Sequence, residues 1–192
     1  MDHPEIFISQ VRAMMKASQG LDNLQIMLPM ISNMAQVDYA IHLIDRGYSE
    51  LLEEGFNIHR PDIGVMVEVP AITYQMDALA KRVNFISVGT NDLIQYLLAV
   101  DRNNPRVANL FSVFHPPVLQ VLNDIAINAE RVNLRHSVCG EMAGDPGAAI
   151  LLMAMGYDVL SMNINALSRV KSVIRNVTIK QTKLLLEKVM QA

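Results

Sequence analysis

The chain has 192 residues, of which 51% are hydrophobic and 18% charged, with a formal net charge of −3. That balance suits one well-buried globular domain over residues 1–192, and it argues against a disordered chain or a global basic field for nucleic acid. A single cysteine excludes an internal disulfide framework and a multi-cysteine zinc site.

The opening MDHPEIF lacks the basic and apolar regions of a secretory signal. Asp2 and Glu5 resemble a capping box, with Pro4 in the first turn and a helical stripe of Ile6, Val11, Met14 and Met15 running to about Ser18. Leu24–Pro29 is expected as a short apolar strand, and Gln36–Glu54 as a long helix ended by Gly55. Asp62–Pro70, DIGVMVEVP, is the second strand, followed by a helix to about Arg82. Asn84–Asp92 is the third strand with a turn after it, Leu93–Val100 a short helix, and Asp101–Pro117 a loop. Val118–Ala129 is a helix introduced by a Pro pair, and LRHSVCGE the fourth strand with its turn. Pro146–Met155 is a helix, Asp158–Asn163 the fifth strand, and two short helices complete the chain. The longest apolar run, Ala148–Met155, is far too short to span a bilayer, so a cytoplasmic protein without membrane contact is expected. The basic residues near the end (Arg169, Lys171, Arg175, Lys180, Lys183 and Lys188) read as a solvated helix face. The five histidines, at 3, 42, 59, 115 and 136, read as structural or surface residues.

Strands alternate with helices throughout and read as apolar on both faces, which predicts parallel strands covered by helices, an α/β fold. Polar residues gather just after the strands: Glu68, then Asn91 and Asp92, then Cys139-Gly140-Glu141, then Asn163. Functional groups at the ends of most strands are the pattern of a (β/α)8 barrel, whereas a doubly wound sheet binds at one switch point. A complete barrel needs about 250 residues. Five strands and a helical start therefore lead to the expectation of a fragment: the later part of a barrel whose N-terminal strands are missing.

Glu68 closes an apolar run, where a carboxylate is costly unless something pairs it. Glu68 and Asp92, from neighbouring strand ends, could share a magnesium ion, which takes one or two carboxylates plus phosphate oxygens and water. A lysine, an arginine or a backbone amide could equally satisfy each of them. GTND (Gly89–Asp92) is by itself a common turn composition, and Arg102 offers a planar fork for phosphate or for a loop carboxylate. Cys139 by itself reads first as a packing residue, since free cysteine is among the most buried residue types. Glu141 reads either as orienting its own turn or as a carboxylate at the start of the helix at Pro146.

Taken together and in order, GVMVEVP, SVGTNDLIQYLLAVDRNN and VCGEMAGD resemble the phosphoenolpyruvate-binding domain of Enzyme I of the bacterial phosphotransferase system. The resemblance covers essentially the whole chain. DRNN, FHPPVL, CGEMAGDPGAA and MGYDVLSMN look closest to the nitrogen-related branch. Pyruvate phosphate dikinase and phosphoenolpyruvate synthase share the core motifs, so a fragment of either is an alternative. A non-catalytic dimerisation or metabolite-sensing module is another.

The resemblance implies a barrel of the phosphoenolpyruvate/pyruvate type and a role for each matching residue. Glu68 and Asp92 would bind Mg2+, Asn91 and Asp92 would contact phosphoenolpyruvate, and Arg102 would hold its phosphate. Cys139 would give a proton to the enolpyruvate carbon. A thiol, with an ordinary pKa of about 8.5, can serve in both directions near neutrality. Family members pass the phosphoryl group to a histidine in a separate N-terminal domain and then to an HPr-like phosphocarrier protein. They also dimerise through this domain. The expectation is thus a homodimer whose isolated C-terminal part does not transfer phosphate alone.

Overall fold

The computed structural model describes residues 3–191. Its centre is a five-stranded parallel sheet in the order β1-β2-β3-β4-β5. The strands are β1 (Gln25–Leu28), β2 (Asp62–Val67), β3 (Phe85–Gly89), β4 (Arg135–Cys139) and β5 (Val159–Ser161). Each pairs in parallel with the next in sequence, as expected. The order never reverses, so there is no switch point of the doubly wound kind. Sequential parallel neighbours joined by helices are the order of a (β/α) barrel. Among the described residues the sheet is open, with β1 and β5 at its edges.

The helices are α1 (Pro4–Ala17), α2 (Met34–Glu53), α3 (Met76–Leu79), α4 (Thr90–Leu98), α5 (Pro116–Arg131), α6 (Pro146–Met155), α7 (Ile164–Arg175) and α8 (Ile179–Met190). Asp2, the expected cap of α1, lies outside the described residues; His3 occupies the N-cap position without a side-chain capping bond. The expected helix after β2 is mostly a 3-10 segment, Pro70–Gln75, followed by the single turn of α3. Asn33 caps α2, its side chain accepting from the Gln36 N–H at 3.1 Å. No helix among the described residues is long and apolar enough to cross a membrane.

The strands are fully buried on one face, not on both. Ile26, Leu28, Ile63, Val65, Val67, Ile86, Val88 and Val138 alternate along the strands and are buried with α2, α5 and α6 side chains such as Ile44, Leu122 and Leu152. Each such side chain contributes roughly 1.5–3 kcal/mol on burial. The other face presents three rows set by the register. Met27, Gly64, Phe85 and Arg135 form the first, and Met66, Ser87, Ser137 and Val159 the second. Gly89, Cys139 and Ser161 form the third, at the C-terminal ends of the strands. Met27 is 37% exposed and Val159 58% exposed, so this face is partly open. The polar ends of the sheet are therefore carried by a one-sided core.

Candidate active site

The Cys139 row stands at the strand mouth because the pleat alternates side chains with a period of two. Glu68 lies two residues beyond Met66, so it falls on the same face as that row. A Cβ built on Gly89 would stand 2.9 Å from Glu68 Oε2 and 3.0 Å from Met66 Sδ. Glycine at 89 thus gives the Glu68 carboxylate its place beside the strand that carries GTND.

Glu68 is 3% exposed. Its Oε1 accepts from the Met30 N–H at 2.7 Å. Burial and then the negative charge of Asp92 push its carboxyl above the ordinary range, against the lowering effect of the Met30 amide. Among the described residues neither Glu68 nor Asp92 has a salt-bridge partner. A backbone amide therefore meets one oxygen of Glu68, while the mutual repulsion of the two carboxylates has no protein cation to offset it. Two hard oxygen donors in that condition fit a magnesium ion, which needs no third protein carboxylate. No cluster of three or more metal-ligating side chains occurs among the described residues.

Thr90, Asn91 and Asp92 are the first turn of α4, not a free turn after β3. This turn grips the end of β4. The Thr90 hydroxyl donates to the Cys139 carbonyl at 2.9 Å, and the Glu141 N–H donates to Asn91 Oδ1 at 3.1 Å. The Cys139 thiol points to the Val88 carbonyl, with Sγ and O 3.5 Å apart. Gly140 between them has φ 121°, and a Cβ there would lie 2.5 Å from Thr90 Oγ1. Because a backbone N–H can only donate, the Asn91 atom facing Glu141 is the oxygen. The Asn91 Nδ2 is then the donor left for something else.

Arg102 lies in the loop after α4, its Nη1 3.6 Å from Glu141 Oε1. Its backbone N–H reaches Gln95 Oε1 at 3.3 Å. The Glu141 side chain is 82% exposed, so this ion pair is loose and easily exchanged for another anion. Asp145, which sequence reasoning missed, caps α6 in place of Glu141, accepting from the Ala148 N–H at 2.8 Å. An Asp directly before Pro146 was the signal for it. A cleft of about 650 Å³ opens beside Asn91 and Glu141 toward Ser161, Asn163 and Arg169. Glu68, Asp92, Arg102 and Cys139 are not among its lining residues.

His3, His42, His59 and His115 are exposed, in line with a surface reading. His136 packs edge to face on Tyr157, with ring centroids 5.2 Å apart.

Carboxylates, an amide and a thiol gather at the C-terminal ends of adjacent parallel strands of an α/β protein, with a guanidinium in the loop after α4. Comparison with known proteins narrows this class. The model of the PEP-utilising enzyme family, PEP-binding domain, matches residues 1–179, and the chain belongs to that family. It is 46% identical over its whole length to a protein of Salmonella typhimurium named for the phosphoenolpyruvate-dependent phosphotransferase system, covering 26% of that protein. It is 38% identical over its whole length to the phosphoenolpyruvate-protein phosphotransferase of Haemophilus influenzae, covering 33% of it. The chain thus spans about a quarter to a third of these relatives. Among solved structures, a citrate lyase from Burkholderia xenovorans shares the fold, with TM-score 0.63 and 18% identity over 86% of this chain and 53% of the lyase.

Proposed function

We propose that this chain is the phosphoenolpyruvate-binding part of a phosphoenolpyruvate-protein phosphotransferase. The observation that carries the reading is the row at the strand mouth: the Cys139 thiol and the Glu68 carboxylate share one face, on either side of Gly89. A relay of phosphate from an enol ester needs an anion-binding group, and a proton source for the carbon left behind.

Asn91 donates through Nδ2 to a substrate oxygen, its other atom being held by the Glu141 N–H. Arg102 exchanges its loose partner Glu141 for the phosphate of the substrate. Glu68 and Asp92 would hold a magnesium ion, which would supply positive charge against the phosphoryl oxygens. When the P–O bond breaks, the phosphoryl group goes to a histidine outside this chain and the enolate of pyruvate remains. The Cys139 S–H gives its proton to the methylene carbon, leaving a thiolate and pyruvate; the reverse reaction takes that proton back. The phosphohistidine then serves an HPr-like phosphocarrier protein. A cytoplasmic homodimer of the nitrogen-related branch is the setting this reading expects.

The test uses the full-length protein. Calorimetry should detect phosphoenolpyruvate binding that strengthens with magnesium, and labelled phosphate should pass to a histidine outside this domain. Cys139→Ala should abolish transfer and keep binding. Transfer at the ordinary rate in C139A would return the thiol to a packing role, and an absence of binding would sink the reading as a whole.

A further inference from the structure

We propose that Thr90 is a positioning residue for Cys139: its hydroxyl fixes where the thiol stands at the end of β4. The proposal rests on the proton-donor reading of Cys139 and deepens it.

Thr90 is fully buried, at 0% exposure, and is one of few buried polar residues among those described. A buried hydroxyl is retained only where it has a partner, and the partner here is the Cys139 carbonyl at 2.9 Å. That carbonyl belongs to the last residue of β4, where the ladder to β5 is ending. The chain then turns through Gly140 at φ 121°, a conformation that other residues rarely adopt. The space a side chain would need there holds the Thr90 hydroxyl, 2.5 Å from the position of a Cβ. Glycine and threonine therefore fit as a pair.

The segment Val88–Asn91 touches this turn three times. The Val88 carbonyl faces Sγ, Thr90 holds the Cys139 carbonyl, and Asn91 holds the Glu141 N–H. Asn91 and Asp92, the proposed ligand-binding groups, belong to the same helical turn. One short element thus registers the acid against the groups that hold the substrate. Without the hydroxyl, a partly enclosed carbonyl loses its partner, and only the Gly140 N–H bond to the Ser161 carbonyl at 3.3 Å still resists rotation of the Cys139–Gly140 peptide. The thiol moves with it, and a displacement of about 1 Å can cost on the order of a hundredfold in rate.

The test compares Thr90→Val, which keeps the shape and removes the hydroxyl, with Thr90→Ser, which keeps the hydroxyl. In the full-length protein we measure phosphoryl transfer, phosphoenolpyruvate affinity and thermal stability. The rate of Cys139 alkylation by iodoacetamide is followed against pH by mass spectrometry of the Cys139 peptide. T90V should lower the transfer rate about 10- to 100-fold with affinity changed less than about twofold. It should also displace the alkylation profile, and T90S should restore both. Thr90→Ala adds no atoms and carries the same expectation, so it decides the matter if T90V fails to fold. A lowered melting temperature with ordinary turnover and an ordinary alkylation profile would overturn the proposal. So would a T90S as impaired as T90V. The alkylation arm needs no phosphoenolpyruvate. A displaced profile in a protein that neither binds nor transfers would sink the proton-donor reading and leave the positioning role of Thr90 standing.

Discussion

Met30 donates its backbone N–H to the buried carboxylate of Glu68 at 2.7 Å, and it does so from a left-handed backbone with φ 55°. A methionine in that region costs energy, so the contact is held by its surroundings rather than by local preference. Pro29 precedes it and Gln75 bonds the Ser32 carbonyl at 3.2 Å, tying the same loop from the other side. The β1–α2 loop and the end of β2 are locked through one carboxylate.

That carboxylate should make stability depend on pH in a stated direction. Burial, and then Asp92, hold the Glu68 carboxyl above the glutamate value of 4.5, so folding favours its protonated form. The contribution is fully present below the unfolded value and is lost as pH rises through the folded one. Glu68→Gln keeps an oxygen to accept from Met30 and removes the charge. In chelator, E68Q should melt higher than the unchanged protein by a margin that widens as pH rises above the ordinary glutamate value, reaching about 2–4 °C. Magnesium should then raise the melting temperature of the unchanged protein and leave E68Q where it was. A difference that stays constant with pH would refute the charge argument.

Gly64 and Phe85 face each other in register, and a Cβ on Gly64 would fall 2.3 Å from the Phe85 ring. The ring atoms Cδ2, Cε2 and Cζ fill the space beside Gly64, and the Arg135 guanidinium carbon lies over the ring, 5.9 Å from its centroid. Gly64→Ala should therefore cost about 1–3 kcal/mol by overpacking. Phe85→Leu in the same chain should recover part of that loss, a coupling that a double-mutant cycle by chemical denaturation would measure. Additive effects would mean that the two sites do not share the space.

How much of this was legible depends on whether the signal was local. Pro146–Met155 was readable to the residue because a proline opens it and a left-handed Gly156 closes it. The parallel order followed from strand–helix alternation alone. The start of α4 was missed because Gly89 offers no side-chain cap, and GTND has the composition of a turn. The helix after β2 was overread: PAITYQ winds as a 3-10 segment. Nothing in the letters announces a left-handed methionine, and the grip of Thr90 on Cys139 joins residues 49 apart in sequence. Such contacts belong to tertiary structure, where the sequence pattern gives positions but no partners.

Asp145 and Glu141 separate a structural carboxylate from one free to act. Asp145 caps α6 with a 2.8 Å bond to the Ala148 N–H. Replacing it with alanine should cost about 0.5–2 kcal/mol. Glu141→Ala removes only an exposed side chain, so its melting temperature should stay within about 1 °C. It also frees Arg102, and phosphoenolpyruvate should then bind the full-length protein more tightly, most visibly at low salt. Weaker binding in E141A would instead make Glu141 part of the substrate site.

Asn91 gives the sharpest test of ligand geometry, because its two side-chain atoms have different duties. Oδ1 accepts from the Glu141 N–H at 3.1 Å, which leaves Nδ2 to donate. Asn91→Asp keeps the acceptor and replaces the donor with a second acceptor bearing charge, adjacent in sequence to Asp92. Such a side chain still holds the turn but repels an anion. A hydrogen bond to a charged group is worth about 1.5–3 kcal/mol, so binding of phosphoenolpyruvate should weaken by at least roughly tenfold. Asn91→Ala loses both atoms and should also lower stability, since the Glu141 N–H loses its partner. The expected order of melting temperatures is thus unchanged protein, N91D, then N91A, with the affinities of both variants well below the first. Calorimetry and thermal melts on the full-length protein would establish both orders. An N91D that binds phosphoenolpyruvate as tightly as the unchanged protein would remove Asn91 from the site.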